Sequence, residues 1–267
     1  FDASRTPISE LAAAAADSPD APFITVGGRT VTFRELDQRV STAAGGLRAL
    51  GVGEGDRVLV VTPNCVEAVV AWLAVQALGA IDAPISVEAP GAFVRYLVND
   101  LQPKAAIGTA ATLGAVASAL TTQIELSVVI GAPDDGGNHV RFDDLGVSVG
   151  EPIDDRMVGT AALPGTIMYS SGTTGPSKGV VLSQGYYSSL ASAHVAINGI
   201  EAGFRMYCVQ PLCHVDARSA VIDALRVRGH LALGTKFSAS RFWDEVEAHD
   251  ADLFFYVGTM VHLIFGQ

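Results

Sequence analysis

"GTIMYSSGTTGPSKGVVLS" (residues 165–183) sets an apolar run, a loop of glycines and hydroxyl residues, one lysine and a second apolar run in that order. "GTIMYS" (165–170) reads as a strand, and the loop leaves its carboxyl end, where open α/β sheets collect their ligands. Backbone N–H groups in a glycine-rich turn can converge on an anion, because glycine has no Cβ to block close approach. Ser170, Ser171, Thr173 and Thr174 add hydroxyl donors, and Lys178 adds a mobile positive charge. The order is not that of a Walker A loop. Ser177 stands where the second glycine of GxxxxGK[ST] belongs, and Gly179 follows the lysine. On composition alone a Ser/Thr/Gly run is a slack loop; the strand before it and "GVVLS" after it favour a phosphate cradle.

Outward from this loop, apolar periodicity alternates between strand-like and helix-like. "FITVGGRTVTF" (23–33) reads as two short strands about a Gly27-Gly28 turn. Thr32 and Glu35 form a capping box, apolar residues follow at three- and four-residue spacing to Leu50, and Gly51 stands where a helix stops. "RVLVVT" (57–62) is an unbroken apolar run, typical of a strand covered on both faces. A helix over 64–78, closed by Gly79, and a strand over 81–85 come next. Then follow a helix near 92–101, strands near 105–107 and 126–130, and a polar loop or short hairpin over 131–146. Beyond the opening stretch we expect helices near 185–197, 218–227 and 239–248, strands at 206–209, 231–233 and 253–256, and a last helix. Such alternation implies parallel sheet with helices on both faces.

The 267 residues are 49% hydrophobic, enough for a large core and two lobes. With 17 Lys+Arg against 28 Asp+Glu, the formal net charge is -11, which argues against sequence-independent nucleic-acid binding. An anion must therefore be held by local groups. Cys65, Cys208 and Cys213 form no CxxC pair, so neither a disulfide framework nor a zinc site is indicated, and a reducing, cytoplasmic setting is expected. The longest apolar run, "AVVAWLAVQALGAI" (68–81), is too short for a bilayer span of about 20 residues and reads as a buried helix. No signal peptide is visible, and the chain begins at Phe1, as an excerpt would.

"YSSGTTGPSKGVVLS" resembles the phosphate-binding signature of the acyl-adenylate-forming superfamily: acyl-CoA synthetases, adenylation domains of peptide synthetases, and luciferases. "VTFRELDQRVSTAAGGLRALGVGEGDRVLVVTPNCVEAVVAWLAVQALGAI" (31–81) is similar to the N-terminal region of acyl-CoA synthetases. "QPLCHVDA" (210–217) resembles their aromatic/His segment beside the acyl pocket, and "FVRYLVND" (93–100) and "KFSASRFWDEV" (236–246) resemble the crotonobetaine/carnitine-CoA ligase-like branch. The resemblance implies an α/β fold. It would have two αβα-layered lobes, residues 57–194 in one and 1–56 plus 195–267 in the other, ending before the family's β-barrel part and C-terminal domain.

It also implies a two-step reaction: a carboxylic acid and Mg·ATP give an acyl-adenylate and pyrophosphate, and CoA takes the acyl group. The cofactors implied are ATP, Mg2+ and CoA. Ser170, Ser171, Gly172, Thr173, Thr174, Gly175 and Lys178 would hold the β- and γ-phosphates, with Lys178 and Thr174 catalytic. His214 would line the carboxylate pocket, with Tyr256 and Gly258 beside the acyl chain. Asp216 would either face a cationic head group or cap the helix that follows. The family pattern has an aromatic where Cys213 stands and commonly a histidine at Gln184. The other histidines have no metal-ligand spacing, and no residue is assigned to a metal. Family members run on to an adenine-binding segment and a catalytic lysine, so the 267-residue span is expected to be inactive alone. An amino-acid-activating domain that loads a carrier protein and a non-catalytic truncated homologue remain as alternatives. The oligomeric state stays open, a homo-oligomer included.

Overall fold

Two sheets, each flanked by helices, meet along a buried central helix in the computed structural model, which describes residues 4–120, 124–132, 139–155, 161–170 and 177–266. In chain order the elements are α1 (Pro7–Asp17), β1 (Pro22–Val26), β2 (Arg29–Thr32), α2 (Phe33–Ala49), β3 (Arg57–Val61), α3 (Val66–Ala77) and β4 (Ile81–Pro84). There follow α4 (Gly91–Leu101), β5 (Ala105–Thr109), α5 (Ala110–Ala119), β6 (Leu126–Ile130), β7 (Val140–Arg141), β8 (Pro164–Tyr169), β9 (Gly179–Ser183) and α6 (Tyr186–Asn198). The chain closes with β10 (Arg205–Cys208), α7 (Val215–Val227), β11 (His230–Leu233), α8 (Phe242–Ala248), β12 (Leu253–Phe254) and α9 (Gly258–Phe265).

The first sheet runs β12-β10-β11-β1-β2 and the second β7-β6-β5-β3-β4-β8-β9. Both are parallel except for two antiparallel arms, β1–β2 and β8–β9. The expected alternation and most element positions are therefore borne out. Thr32 caps α2 by accepting from the Glu35 N–H, while the Glu35 carboxylate accepts from the Thr32 N–H. Gly51 ends that helix at a φ of 89°, a conformation open chiefly to glycine.

Two expectations need correction, and one strand was not foreseen. Residues 131–146 form no hairpin among the described residues, because Val140–Arg141 adds to β6 in parallel. The helix near 239–248 opens with a separate 3-10 turn, Ala239–Arg241, before α8 begins. "GVVLS" (179–183) is itself a strand, returning antiparallel beside β8. Two further helices, α1 and α5, carry alanine runs whose periodicity does not announce them.

The apolar run at 68–81 builds α3, nearly all of whose side chains are buried. A helix apolar on every side must have cover on every side. Here α1, α2 and β1 supply it from the first sheet's layers, and β3 and β4 from the second.

Between the two sheets, α6 packs on α7, and His194 of the one meets Asp223 of the other. His194 Nδ1 lies 2.9 Å from the Asp223 carboxylate, which is fully buried. That hydrogen bond holds the imidazole above its ordinary 6.5, against the opposing effect of burial. A raised folded-state value means the pair stabilises the fold fully below 6.5 and loses that contribution as pH climbs through the higher value. We therefore expect the melting-temperature advantage of the native protein over His194→Gln to be larger at about pH 6 than at about pH 8.5. A constant difference across that range would show that the imidazole's charge contributes nothing.

Candidate active site

The loop of the opening stretch is the tip of the β8–β9 arm. Residues 171–176, and with them the predicted positions Ser171, Gly172, Thr173, Thr174 and Gly175, lie outside the described residues. Its two feet are described. The Ser170 N–H donates to the Lys178 carbonyl at 3.0 Å, and the Lys178 N–H donates to Ser170 Oγ at 3.2 Å. Ser177 Oγ donates back to the Ser170 carbonyl. The neck of the loop is thus closed by polar bonds, while the Lys178 side chain is exposed and has no ion-pair partner among the described residues.

Helix α4 braces this neck. Tyr96 donates its hydroxyl to the Ser177 carbonyl at 2.6 Å, and Tyr169 donates to the Asp100 carboxylate at 2.7 Å. Tyr96 and Asp100 are four residues apart and so share a face of α4. Burial, followed by the bond to Asp100, pushes the Tyr169 phenol well above its ordinary value, so it stays a donor. Both braces lie in "FVRYLVND", a stretch singled out by resemblance but given no role there.

Between this neck and the amino end of α7 opens a cavity of about 690 Å³. Ser170 and Ser177 line one side and Cys213, His214 and Val215 the other, with Phe93, Met168, Tyr169, Leu182 and Tyr186 among the walls. The volume suits a small organic ligand. Its mixture of apolar walls and a few hydroxyl and imidazole groups suits one that is apolar at one end and polar at the other.

The other predicted positions scatter. His214 is the N-cap residue of α7, makes no side-chain cap bond and is exposed toward the cavity. Asp216 does not cap: it lies in the first turn of α7, where a carboxylate complements the helix dipole, and does not line the cavity. Tyr256 is 57% exposed, with its ring 6.0 Å from that of Phe254, and Gly258 opens α9; neither lines the cavity. Gln184 is buried rather than facing a ligand. A Cβ at Gly165 would meet its Cα and Cγ at 2.9 Å, so glycine is required there.

Beneath the cavity floor lies a polar cluster that the sequence does not reveal. Arg218 of α7, 2% exposed, pairs with the fully buried Asp82 of β4 at 2.6 Å. Thr166 and Gln76 donate to the other Asp82 oxygen at 2.7 and 3.3 Å. The guanidinium carbon stands 4.6 Å from the centroid of the Trp72 ring. No group of three or more His, Cys, Asp or Glu residues able to hold a metal occurs among the described residues. No described helix is long and apolar enough to cross a membrane.

Ser170 and Ser177 at the neck of the loop thus face His214 across one cavity, and comparison with known proteins gives the family. The chain matches the AMP-binding enzyme family over residues 11–267, and it belongs to that family. It is 31% identical over 242 residues to 4-coumarate–CoA ligase-like 2 of Arabidopsis thaliana, a match covering 84% of this chain and 41% of that protein. It is 27% identical over 254 residues to the medium/long-chain-fatty-acid–CoA ligase FadD6 of Mycobacterium tuberculosis, covering 93% and 41%. The chain thus spans about 41% of the length of these curated relatives.

Among solved structures, the N-terminal domain of FACL13 from Mycobacterium tuberculosis superposes with a TM-score of 0.83 at 23% identity, over 97% of this chain and 65% of that one. O-succinylbenzoate CoA synthetase from Bacillus subtilis, in complex with AMP, gives 0.81 at 22%, over 96% and 63%. The fold is therefore that of the N-terminal domain of adenylate-forming enzymes. These relatives establish the family and not the carnitine-ligase-like branch.

Proposed function

We propose that the full-length protein joins a carboxylic acid to CoA at the expense of ATP. A carboxylate oxygen attacks the α-phosphorus, the bond to the β-phosphate bridge breaks, and pyrophosphate leaves. The CoA sulfur then attacks the acyl carbon, AMP departs, and the thiol proton is released. The observation that carries this reading is the single cavity joining the neck of the loop at Ser170 and Ser177 to His214.

In this reading Lys178 and Ser170, with Ser171, Gly172, Thr173, Thr174 and Gly175, hold the phosphates, and Lys178 and Thr174 stabilise the charge that builds there. The exposed amine and the hydroxyls fit such a ligand. Mg2+ would neutralise phosphate charge when bound, and no residue of this chain is assigned to it. His214 faces the reacting carboxylate. The cavity walls are apolar and Asp216 stands off them, which favours a neutral aliphatic or aromatic acid over a cationic one. We also propose the two-lobe division near residues 57 and 194, supported by the membership of the two sheets, and a cytoplasmic location, supported by three free cysteines.

The test is acid-dependent pyrophosphate release by the full-length protein, using acetate, medium-chain fatty acids, aromatic propenoates and a carnitine-type acid. Release with a neutral apolar acid, and product only when CoA is present, is the expected result. Loading of a carrier protein instead of CoA would favour an amino-acid-activating role. No release with any acid would overturn the reading and leave a binding-only homologue.

A further inference from the structure

The segment that delivers His214, residues 209–214, has no regular structure of its own, yet it must be held, since each residue left loose costs about 1–2 kcal/mol to order later. Asn64 lies in the β3–α3 connection of the second sheet and is 7% exposed. Its Nδ2 donates to the carbonyl oxygens of Gln210 at 2.9 Å and Gly234 at 2.8 Å, and its Oδ1 accepts from the Leu212 N–H at 2.9 Å. One carboxamide thus ties together the ends of β3, β10 and β11. From the opposite side, Arg218 Nε donates to the Leu212 carbonyl at 2.7 Å while its guanidinium is fixed to Asp82. The N–H and the carbonyl of Leu212, two residues before His214, are therefore both held by side chains tied to the second sheet.

We propose that Asn64 and Arg218 are positioning residues: by clamping Leu212 from both sides they set where Cys213 and His214 stand at the cavity wall. This rests on the reading that His214 faces the reacting carboxylate, and it makes the seating of the acid depend on the junction between the two sheets. A displacement of about 1 Å at a reacting group can cost roughly 10²-fold in rate, so such a clamp has a measurable purpose.

Asn64→Ala in the full-length protein is the test, with Asn64→Ser, which keeps one donor and one acceptor, as the milder variant. Alkylation followed by peptide mass reads two thiols of the same region. Cys213 lies inside the clamped segment and is half-buried, whereas Cys208 is fully buried in β10 and reports general opening. We expect Cys213 to react about tenfold faster in the variants while Cys208 keeps its native rate, as local opening without global loosening requires. Unchanged reactivity at Cys213, or equal acceleration at both thiols, overturns the proposal.

Kinetics supply a second arm. Asn64→Ala should raise KM for the acid about tenfold with KM for ATP almost unchanged, and should have no further effect on a His214→Ala background, as residues acting through one another do. Additive losses, or equal losses for both substrates, would again overturn the clamp. If the native protein releases no pyrophosphate at all, the proposed activity fails, and the alkylation arm still decides the clamp.

Discussion

Replacing Lys178 with alanine in the full-length protein should lower kcat/KM for ATP by roughly 10²- to 10³-fold, the usual loss when one preorganised charge-stabilising donor is removed. The geometry explains why one side chain carries so much. A Walker A loop runs directly into a helix, whose amino end supplies partial positive charge to the phosphates. This loop instead leads into the antiparallel strand β9 rather than into a helix. In a chain of net charge -11, favourable charge must come from the loop itself, and Lys178 is its sole lysine or arginine. The lysine is exposed and its backbone, not its side chain, closes the loop neck, so the substitution should leave the melting temperature within about 1 °C of native. Unaltered pyrophosphate release by Lys178→Ala would remove the phosphate-cradle role.

Arg218→Ala should be the most destabilising single change, at about 3–5 kcal/mol, because it strands the buried Asp82 carboxylate without its partner. For a domain of this size that corresponds to a fall of roughly 10 °C in melting temperature. The neutral pair Arg218→Met with Asp82→Asn should recover much of the loss, since it is the lone buried charge that is costly rather than the absence of the pair. Thermal unfolding of the three proteins separates the cases. A melting temperature for Arg218→Ala within about 2 °C of native would mean that the guanidinium does not compensate Asp82. A double variant no better than Arg218→Ala would mean that packing over Trp72, and not charge, is what the arginine supplies.

Local signals made much of this fold legible. The Thr32–Glu35 box and Gly51 bound α2 closely, and the loop with its preceding strand marks the site through residue order alone. The alanine runs of α1 and α5 offered no contrast between an apolar and a polar face, so nothing in their spacing stood out. Strand β9 was hidden for a related reason: its valines are exposed on an edge, where burial cannot dictate the pattern.

His214, which lines the cavity, was singled out in the sequence through its flanking residues. Asn64 and Arg218 were not. Their partners are backbone atoms or a carboxylate on other elements, up to 170 residues away for the Asn64–Gly234 bond. On α7, moreover, buried Arg218 and Asp223 look the same in sequence as exposed Asp216. Burial of a charge becomes visible only when the second sheet arrives to cover it.

The order of the strands has a consequence for biosynthesis. Every strand of the second sheet lies between residues 57 and 183, so that sheet can close on itself while the chain is still being made. The first sheet cannot. Strand β1 emerges well before its partner β11, and the Thr25–His230 side-chain contact across that pairing joins residues 205 apart. At about 5–20 residues per second, the β1–β2 arm waits roughly 10–40 s on the ribosome with its inner edge unpaired. During that interval the nascent chain offers an open strand edge, the kind of surface that chaperones shield and that aggregates recruit.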